Sequence, residues 1–352
     1  MKILHSFPKK EKKFKEFCDL TFSLTKVENT FVDSLNDWDE NFEQFDWIVI
    51  HCLRKSEIYF LQKNTIATPI IWFSWGTDIY SLLYIRSKVL LSKTRMQYFK
   101  YLFNASFPQS IRVFLEDAFG RSFSFNKKTF IQTLNKIDYI VPVMPGDFSI
   151  LNQYYPSKLK LFHLNYANPL FLNTKIYSSS GNNILLGNSS SFTNNHFESI
   201  DILSKIDLQS RKVIIPLSYG NSYFAKKAKN YALKKLGSEK VEVLDYFMEF
   251  NAYQEIITSC SIIIMNHLRQ QAVGNIVQAL LSGGHIYLNK KSVVYQFLVE
   301  NNFHVSVFDQ NIILKGLNSE QQKKNLKLCN QIFGIEQQHK LLKQLLFTQN
   351  IS

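Results

Sequence analysis

Short apolar runs recur along the chain, and between them lie longer stretches whose apolar positions fall three and four residues apart. KILHSF (2–7), FDWIVIHCL (45–53), TPIIWFSWG (68–76), IDYIVPVM (137–144) and LKLFHLNY (159–166) read as strands. FKEFCDLTFSL (14–24), SEIYFLQKN (56–64), TDIYSLLYIRSKVLL (77–91) and PGDFSILNQYY (145–155) carry the helical period. The strands alternate with helices and no hairpin turn joins two of them, which predicts a parallel sheet covered by helices.

ANPLFLNTKIYSSSGN (167–182) breaks this rhythm with Pro, Asn and a triple Ser, and reads as a linker. The alternation then restarts. Strands are predicted at NILLGN, KVIIPLSYG, KVEVLDYF, SIIIMN and HIYLN, and helices at NNHFESIDILSKI, NSYFAKKAKNYALKKLG, NAYQEIITSC and QAVGNIVQALLSGG. Asn194 or Asn195 is placed to cap the first of these helices, and Gly237 to end the second. Glu320 to Leu346 reads as helix. The expected architecture is α/β, two doubly wound lobes facing a cleft, covering 1–172 and 182–352, with the C-terminal helix packing back on the first lobe. Ligands bind such lobes at the carboxyl ends of the strands.

Composition narrows the class. The cysteines Cys18, Cys52, Cys260 and Cys329 share no short spacing, which fits buried thiols in a reducing compartment and neither a disulfide frame nor a zinc site. No run reaches about 18 apolar residues, so no membrane-spanning helix is expected. Of the net charge of +13, a surplus of eight falls within residues 84–136, among many Phe, Tyr and Leu. Arg86, Lys88, Lys93, Arg95 and Lys100 there suit a helix on an anionic membrane surface; a solvated face over an aromatic core is the other reading. Nucleic acid is not an expected partner, since no such motif is present.

Three strand ends carry candidate chemistry. NHLRQQAVGN places Arg269, Gln270 and Gln271 before a helix with Gly274 at its mouth. Bare amides at a helix start favour an anion, and an arginine adds a fork matched to phosphate. Asn275 can cap this helix, and Gln278, one turn in, can reach a sugar hydroxyl; a plain buried helix is the alternative. Gly187, Asn188 and Ser189 suit a diphosphate loop or an ordinary Asn/Ser turn. Tyr219 ends the next strand. Asp78, after Trp75 and Gly76, is either a general base or the N-cap of the following helix.

GNSSSFTNNH, VIIPLSYG, EFNAYQEIITSCSIIIMNHLRQQAVGNIVQALLSGGHIYLN and WGTDIY resemble the 4-acetamido-4,6-dideoxygalactose (Fuc4NAc) transferase family of enterobacterial common antigen assembly, glycosyltransferase family 56. Arg-Gln-Gln-x-x-Gly-Asn is the most specific part. The resemblance implies Rossmann-like lobes of the glycosyltransferase-B type, a dTDP-sugar donor, a polyprenyl-diphosphate-linked acceptor, no cofactor and no required metal. It places Gly187, Asn188, Ser189, Arg269, Gln271, Gly274 and Asn275 at the donor and Asp78 as base candidate; the residue reading adds Tyr219, Gln270 and Gln278 to the expected donor set. The first lobe then takes the acceptor and faces the membrane, and the protein is expected peripherally at the cytoplasmic face of the bacterial inner membrane. The loop after KILH, acidic in such proteins, is SFPKKEKK here. Two rivals stay open: a transferase of another nucleotide sugar in capsule or O-antigen synthesis, and a non-catalytic nucleotide-binding module on the membrane surface.

Overall fold

The structure is a computed structural model and describes residues 1–8, 18–24, 26–82, 88–104, 126–164 and 181–347. The chain divides into two units. One comprises Met1–Tyr84, Phe119–Asn173 and Gln331–Ser352; the other comprises Ile85–Ala118 and Thr174–Asn330.

The first unit is built on six parallel strands: β1 (Lys2–Ser6), β2 (Glu28–Val32), β3 (Trp47–His51), β4 (Ile70–Phe73), β5 (Tyr139–Val141) and β6 (Lys160–Leu161), in the order β2-β1-β3-β4-β5-β6. Every residue of β3 and β4 is buried, as the unbroken apolar runs require when helices cover both faces. Its helices are α1 (Lys55–Lys63), α2 (Thr77–Leu82), α4 (Lys127–Leu134), α5 (Pro145–Tyr154) and α12 (Ile335–Phe347), with α3 (Ser92–Asn104) lying in the second unit. The tail is joined to the sheet by Trp47, whose indole Nε1–H donates to the Leu346 carbonyl at 3.1 Å.

The second unit repeats the plan with β7 (Asn183–Leu186), β8 (Val213–Pro216), β9 (Val241–Leu244), β10 (Cys260–Met265), β11 (His285–Leu288) and β12 (Ser306–Val307), all parallel, in the order β12-β11-β10-β7-β8-β9. Its helices are α6 (His196–Leu203), α7 (Ser222–Leu236), α8 (Phe250–Thr258), α9 (Val273–Leu281), α10 (Val293–Glu300) and most of α11 (Ser319–Phe333). The chain winds outward through β8 and β9, then returns to β7's other side with β10. The winding direction therefore reverses between β7 and β10, and a doubly wound sheet opens a crevice at such a point. In the first sheet the reversal falls between β1 and β3.

Several elements depart from the sequence reading. The edge strand β2 was not expected. Of the helix expected over 77–91, Thr77–Leu82 is helical as α2, whereas Lys88–Leu90 form a turn; 83–87 lie outside the described residues. The tail is two helices that meet at Gly334. The basic segment is divided between the units: α4 stays with the first, while α3 packs on α6 of the second. Tyr98 and Leu102 of α3 join the second unit's core, and their size and spacing on one helix face account for that placement. Arg86, residues 167–180 of the linker and residues 14–17 of the helix expected at 14–24 lie outside the described residues; of the rest of that helix, 18–21 are helical.

Candidate active site

At the reversal point of the second sheet the loop after β7 turns at Gly187, φ 71°. Its φ favours glycine, and so does its space: a Cβ there would approach Asn194 Oδ1 and His196 Nε2 to 2.7 Å. The Asn188 N–H donates to Asn194 Oδ1 at 3.0 Å, and Asn194 Nδ2 returns to the Ser189 carbonyl at 2.9 Å. The Asn188 side chain faces the other way. Its Nδ2 donates to the Tyr219 hydroxyl at 2.7 Å, and its Oδ1 accepts from Gln271 Nε2 at 2.9 Å. Thr193 completes the chain with a 2.5 Å hydrogen bond from Oγ1 to Gln271 Oε1. The structure thus joins Asn188, Tyr219 and Gln271, residues from three separate strand ends, in one network.

The start of α9 is built differently from the sequence reading. Ala272 occupies the N-cap at φ 58°, ψ 27°, a left-handed conformation that costs an alanine about 1 kcal/mol, and no side chain caps the helix. Asn275, expected to cap, donates instead to the Tyr253 hydroxyl at 3.0 Å because it sits a turn too far into α9. Gln278 is 4% exposed within the packed face of α9, which removes it from the surface where a sugar hydroxyl would lie. Arg269 is half-buried and donates to the Gln270 carbonyl at 2.9 Å. An uncapped helix start with Gly274 in its first turn and an arginine beside it has the chemistry of an anion site: unshared amides, the positive end of the helix dipole and a guanidinium.

Sequence reasoning missed Thr193 and His267 and read Asn194 only as a helix cap; all three support this loop. His267 is buried after β10, and its Nε2 lies 2.8 Å from Asn194 Oδ1. Since that oxygen already accepts the Asn188 N–H, His267 carries its proton on Nε2. Burial holds His267 well below the ordinary histidine value, helped by the Arg269 charge, and burial also depresses His196 to about 4. Asn195 lies at the N-cap of α6 at φ 51°, but its side chain does not cap. It accepts the Leu91 N–H at 2.8 Å and donates to the Asn266 carbonyl at 2.9 Å, so it fastens the segment before α3 to this sheet. The adjacent asparagines were a visible signal; their partners were not, being tens of residues away.

In the first unit Asp78 is 4% exposed. Its Oδ2 accepts from the Leu53 N–H at 3.0 Å and the Trp72 indole at 2.8 Å. Its Oδ1 accepts from the Ser74 hydroxyl at 2.9 Å and the Trp75 and Ile79 amides at 3.1 and 3.0 Å. A carboxylate offers about four lone-pair positions, so both oxygens are filled. Burial raises its pKa, opposed by those hydrogen bonds. This is the geometry of an anchor for the turn at Gly76, φ 78°, and not of an open base. At the reversal point of the same sheet, His5 Nε2 meets Asn29 Oδ1 at 3.0 Å and His5 Nδ1 meets His51 Nε2 at 3.0 Å, with Cys18 Sγ 3.5 Å from His51 Nδ1. Asn29 Nδ2 donates to the Phe22 carbonyl, so its oxygen faces His5, and the chain of donors runs from His51 through His5 to Asn29.

Among the described residues no group of three His, Cys, Asp or Glu side chains is placed to hold a metal ion. The sequence model of the family described as 4-alpha-L-fucosyltransferase, glycosyl transferase group 56, matches residues 135–335, more than half of the chain. The chain belongs to this family. The protein is therefore a glycosyltransferase, and the match runs from the end of α4 through the whole Arg269–Asn275 region. Solved structures show the fold. HepE from Anabaena, in complex with UDP and glucose, has 13% identity and a TM-score of 0.60 over 99% of this chain and 100% of its own. Sucrose-phosphate synthase from Thermosynechococcus elongatus has 8% identity and a TM-score of 0.57 over 99% and 96%. α,α-Trehalose 6-phosphate synthase from Burkholderia multivorans has 8% identity and a TM-score of 0.56 over 86% and 70%. The two parallel six-stranded sheets with their helices are of the glycosyltransferase-B type.

Proposed function

We propose that this glycosyltransferase moves an amino-deoxy sugar of the Fuc4NAc type from a dTDP-sugar to a polyprenyl-diphosphate-linked saccharide, working peripherally at the cytoplasmic face of the bacterial inner membrane. The observation that carries the donor half is the uncapped start of α9 with Arg269 and Gly274 at the sheet's reversal point, next to the Gly187 loop. A sugar nucleotide presents two phosphates to such a site. In the reaction the acceptor hydroxyl attacks the anomeric carbon and passes its proton to the departing diphosphate, the bond from that carbon to the diphosphate breaks, and the departing charge falls on the α9 amides and the Arg269 guanidinium. Asp78 enters as a positioning residue that holds the Trp75–Gly76 turn in the unit assigned to the acceptor. The family description names a fucosyl group, itself a 6-deoxyhexose, which supports a deoxy sugar.

The membrane half rests on α3, which belongs to the second unit and not to the first lobe expected to face the membrane. The exposed residues of α3 include Arg95, Met96, Lys100 and Phe103, with Met96 48% and Phe103 79% exposed. Basic and apolar side chains exposed together suit an anionic lipid surface. A thermal-shift panel of dTDP, UDP, GDP and CMP tests the donor, because a bound nucleotide raises the melting temperature by mass action. The expected result is the largest shift with dTDP. UDP, which HepE holds, is the sharpest competitor, and a larger shift with UDP overturns the dTDP assignment.

A further inference from the structure

Beyond the phosphates, the second unit displays one aromatic ring in an unusual way. Tyr219 follows β8 and is 59% exposed, yet it is held at both ends. Its carbonyl accepts from the Ser190 N–H at 2.9 Å and the Ser190 hydroxyl at 2.7 Å, and the Asn221 N–H donates back to the Ser190 carbonyl at 3.2 Å. The pairing of β7 with β8 is thereby carried past the strand ends, with a further bridge between Ser190 and Gly220. At the far end the Tyr219 hydroxyl accepts from Asn188 Nδ2. A large exposed ring fixed in this way loses little rotamer freedom on stacking, so its open surface is preorganised for a flat partner.

The same hydrogen bonds say what kind of flat partner fits. From Tyr219 the network runs to Asn188 and then to Gln271, the residue before Ala272 at the uncapped start of α9. A ligand that uses both ends has a planar group at one end and an anion at the other. A nucleoside diphosphate has that form. We propose that Tyr219 is the stacking platform for the nucleobase of the donor, with the phosphates toward α9; this rests on the donor-site reading given above. Stacking on a ring face tolerates every base, so Tyr219 supplies affinity for the nucleoside and not the choice among bases. Tyr246, after β9, is exposed to the same 59% but lacks the Asn188 anchor, and so serves as the matched control.

The test is calorimetry with dTDP and with inorganic pyrophosphate on the wild-type chain and on Tyr219→Ala, Tyr219→Phe and Tyr246→Ala. Tyr219→Ala is expected to weaken dTDP by about tenfold or more, the usual effect of removing one base-stacking ring, with pyrophosphate affinity kept. Tyr219→Phe keeps the ring and is expected to stay within about threefold of wild type, and Tyr246→Ala is expected to match it. Three results overturn the proposal: unchanged dTDP affinity in Tyr219→Ala, equal loss of dTDP and pyrophosphate in that variant, or an equal loss in Tyr246→Ala. A wild-type chain that binds pyrophosphate but none of dTDP, UDP or GDP defeats the donor-site reading itself, which is a distinct outcome.

Discussion

Gln271 donates its side-chain amide to Asn188 Oδ1 at 2.9 Å, across 83 residues of sequence, and so ties the loop after β7 to the one before α9. Replacing Asn188 separates the two jobs of that side chain. Asn188→Ala leaves a buried amide on Gln271 unpaired, at a cost of about 1–3 kcal/mol in stability. Asn188→Asp keeps an acceptor for Gln271 but sets a negative charge beside the proposed phosphate site. Calorimetry should show dTDP weakened further in the Asp variant than in the Ala variant; the reverse order places the phosphates elsewhere.

Arg269→Ala should weaken dTDP by about 2–3 kcal/mol through loss of a charge-assisted fork at a half-buried position. Arg269→Lys should recover only part of this, because an ammonium lacks the planar fork that grips two oxygens of one phosphate side by side. Equal affinity in all three proteins excludes Arg269 from the site.

For Asp78→Asn, the amide nitrogen of asparagine must face N–H donors that now point at an oxygen, so the melting temperature should fall by the equivalent of about 2–4 kcal/mol. At a temperature where the variant is folded, turnover should stay within about tenfold of wild type. A folded variant slowed by a hundredfold or more would restore the base role.

Acid should unfold the protein early. His5 and His196 are depressed to about 4 by burial, and His51 and His267 are depressed too. Each has a folded-state pKa below the unfolded value near 6.5, so the unfolded chain takes up protons first as pH falls. Stability is then intact above about pH 6.5 and declines toward pH 4 by up to about 1.4 kcal/mol per pH unit for each histidine. Asp201 is lowered from 3.8 and so acts below this window, whereas Asp78, raised by burial, works in the opposite sense. Melting temperatures from pH 8 to 4.5 check this, and a flat profile refutes it.

Membrane affinity should divide by residue on α3 and the turn before it. Lys88, Arg95 and Lys100 are exposed, and changing all three to Gln should release the protein from anionic vesicles at low salt, at about 1 kcal/mol per residue. Lys93 already forms an ion pair with Asp201, so Lys93→Gln alone should change little. Co-sedimentation that ignores all of these changes makes α3 a core helix with a solvated face.

Much of this was legible in the sequence because buried parallel strands leave unbroken apolar runs: Trp47–His51, Ile70–Phe73 and Cys260–Met265 were readable on sight. Glu28–Val32 was not, because an edge strand is only partly buried and its sequence ENTFV mixes polar with apolar. At the site, Gly187, Asn188 and Arg269–Gln271 were legible from glycine and amide residues at strand ends. Asn275 and Gln278 misled, since residue type does not reveal which way a helix turns its faces when the cap is an alanine. Asp78 was ambiguous for a similar reason: a cap and a base look alike until the donors around the carboxylate are seen.

The bond from Trp47 to Leu346 spans 299 residues, and His339 Nε2 meets the Leu20 carbonyl at 3.2 Å over a similar stretch. During synthesis the strands of the first sheet emerge early, but α12, which covers Trp47, leaves the ribosome only after the entire second sheet has been made. The second unit, which ends at Asn330, is complete before α12 is made. The order of completion therefore runs against the order of translation, and the nascent first sheet keeps an apolar flank uncovered while nearly three hundred further residues are added.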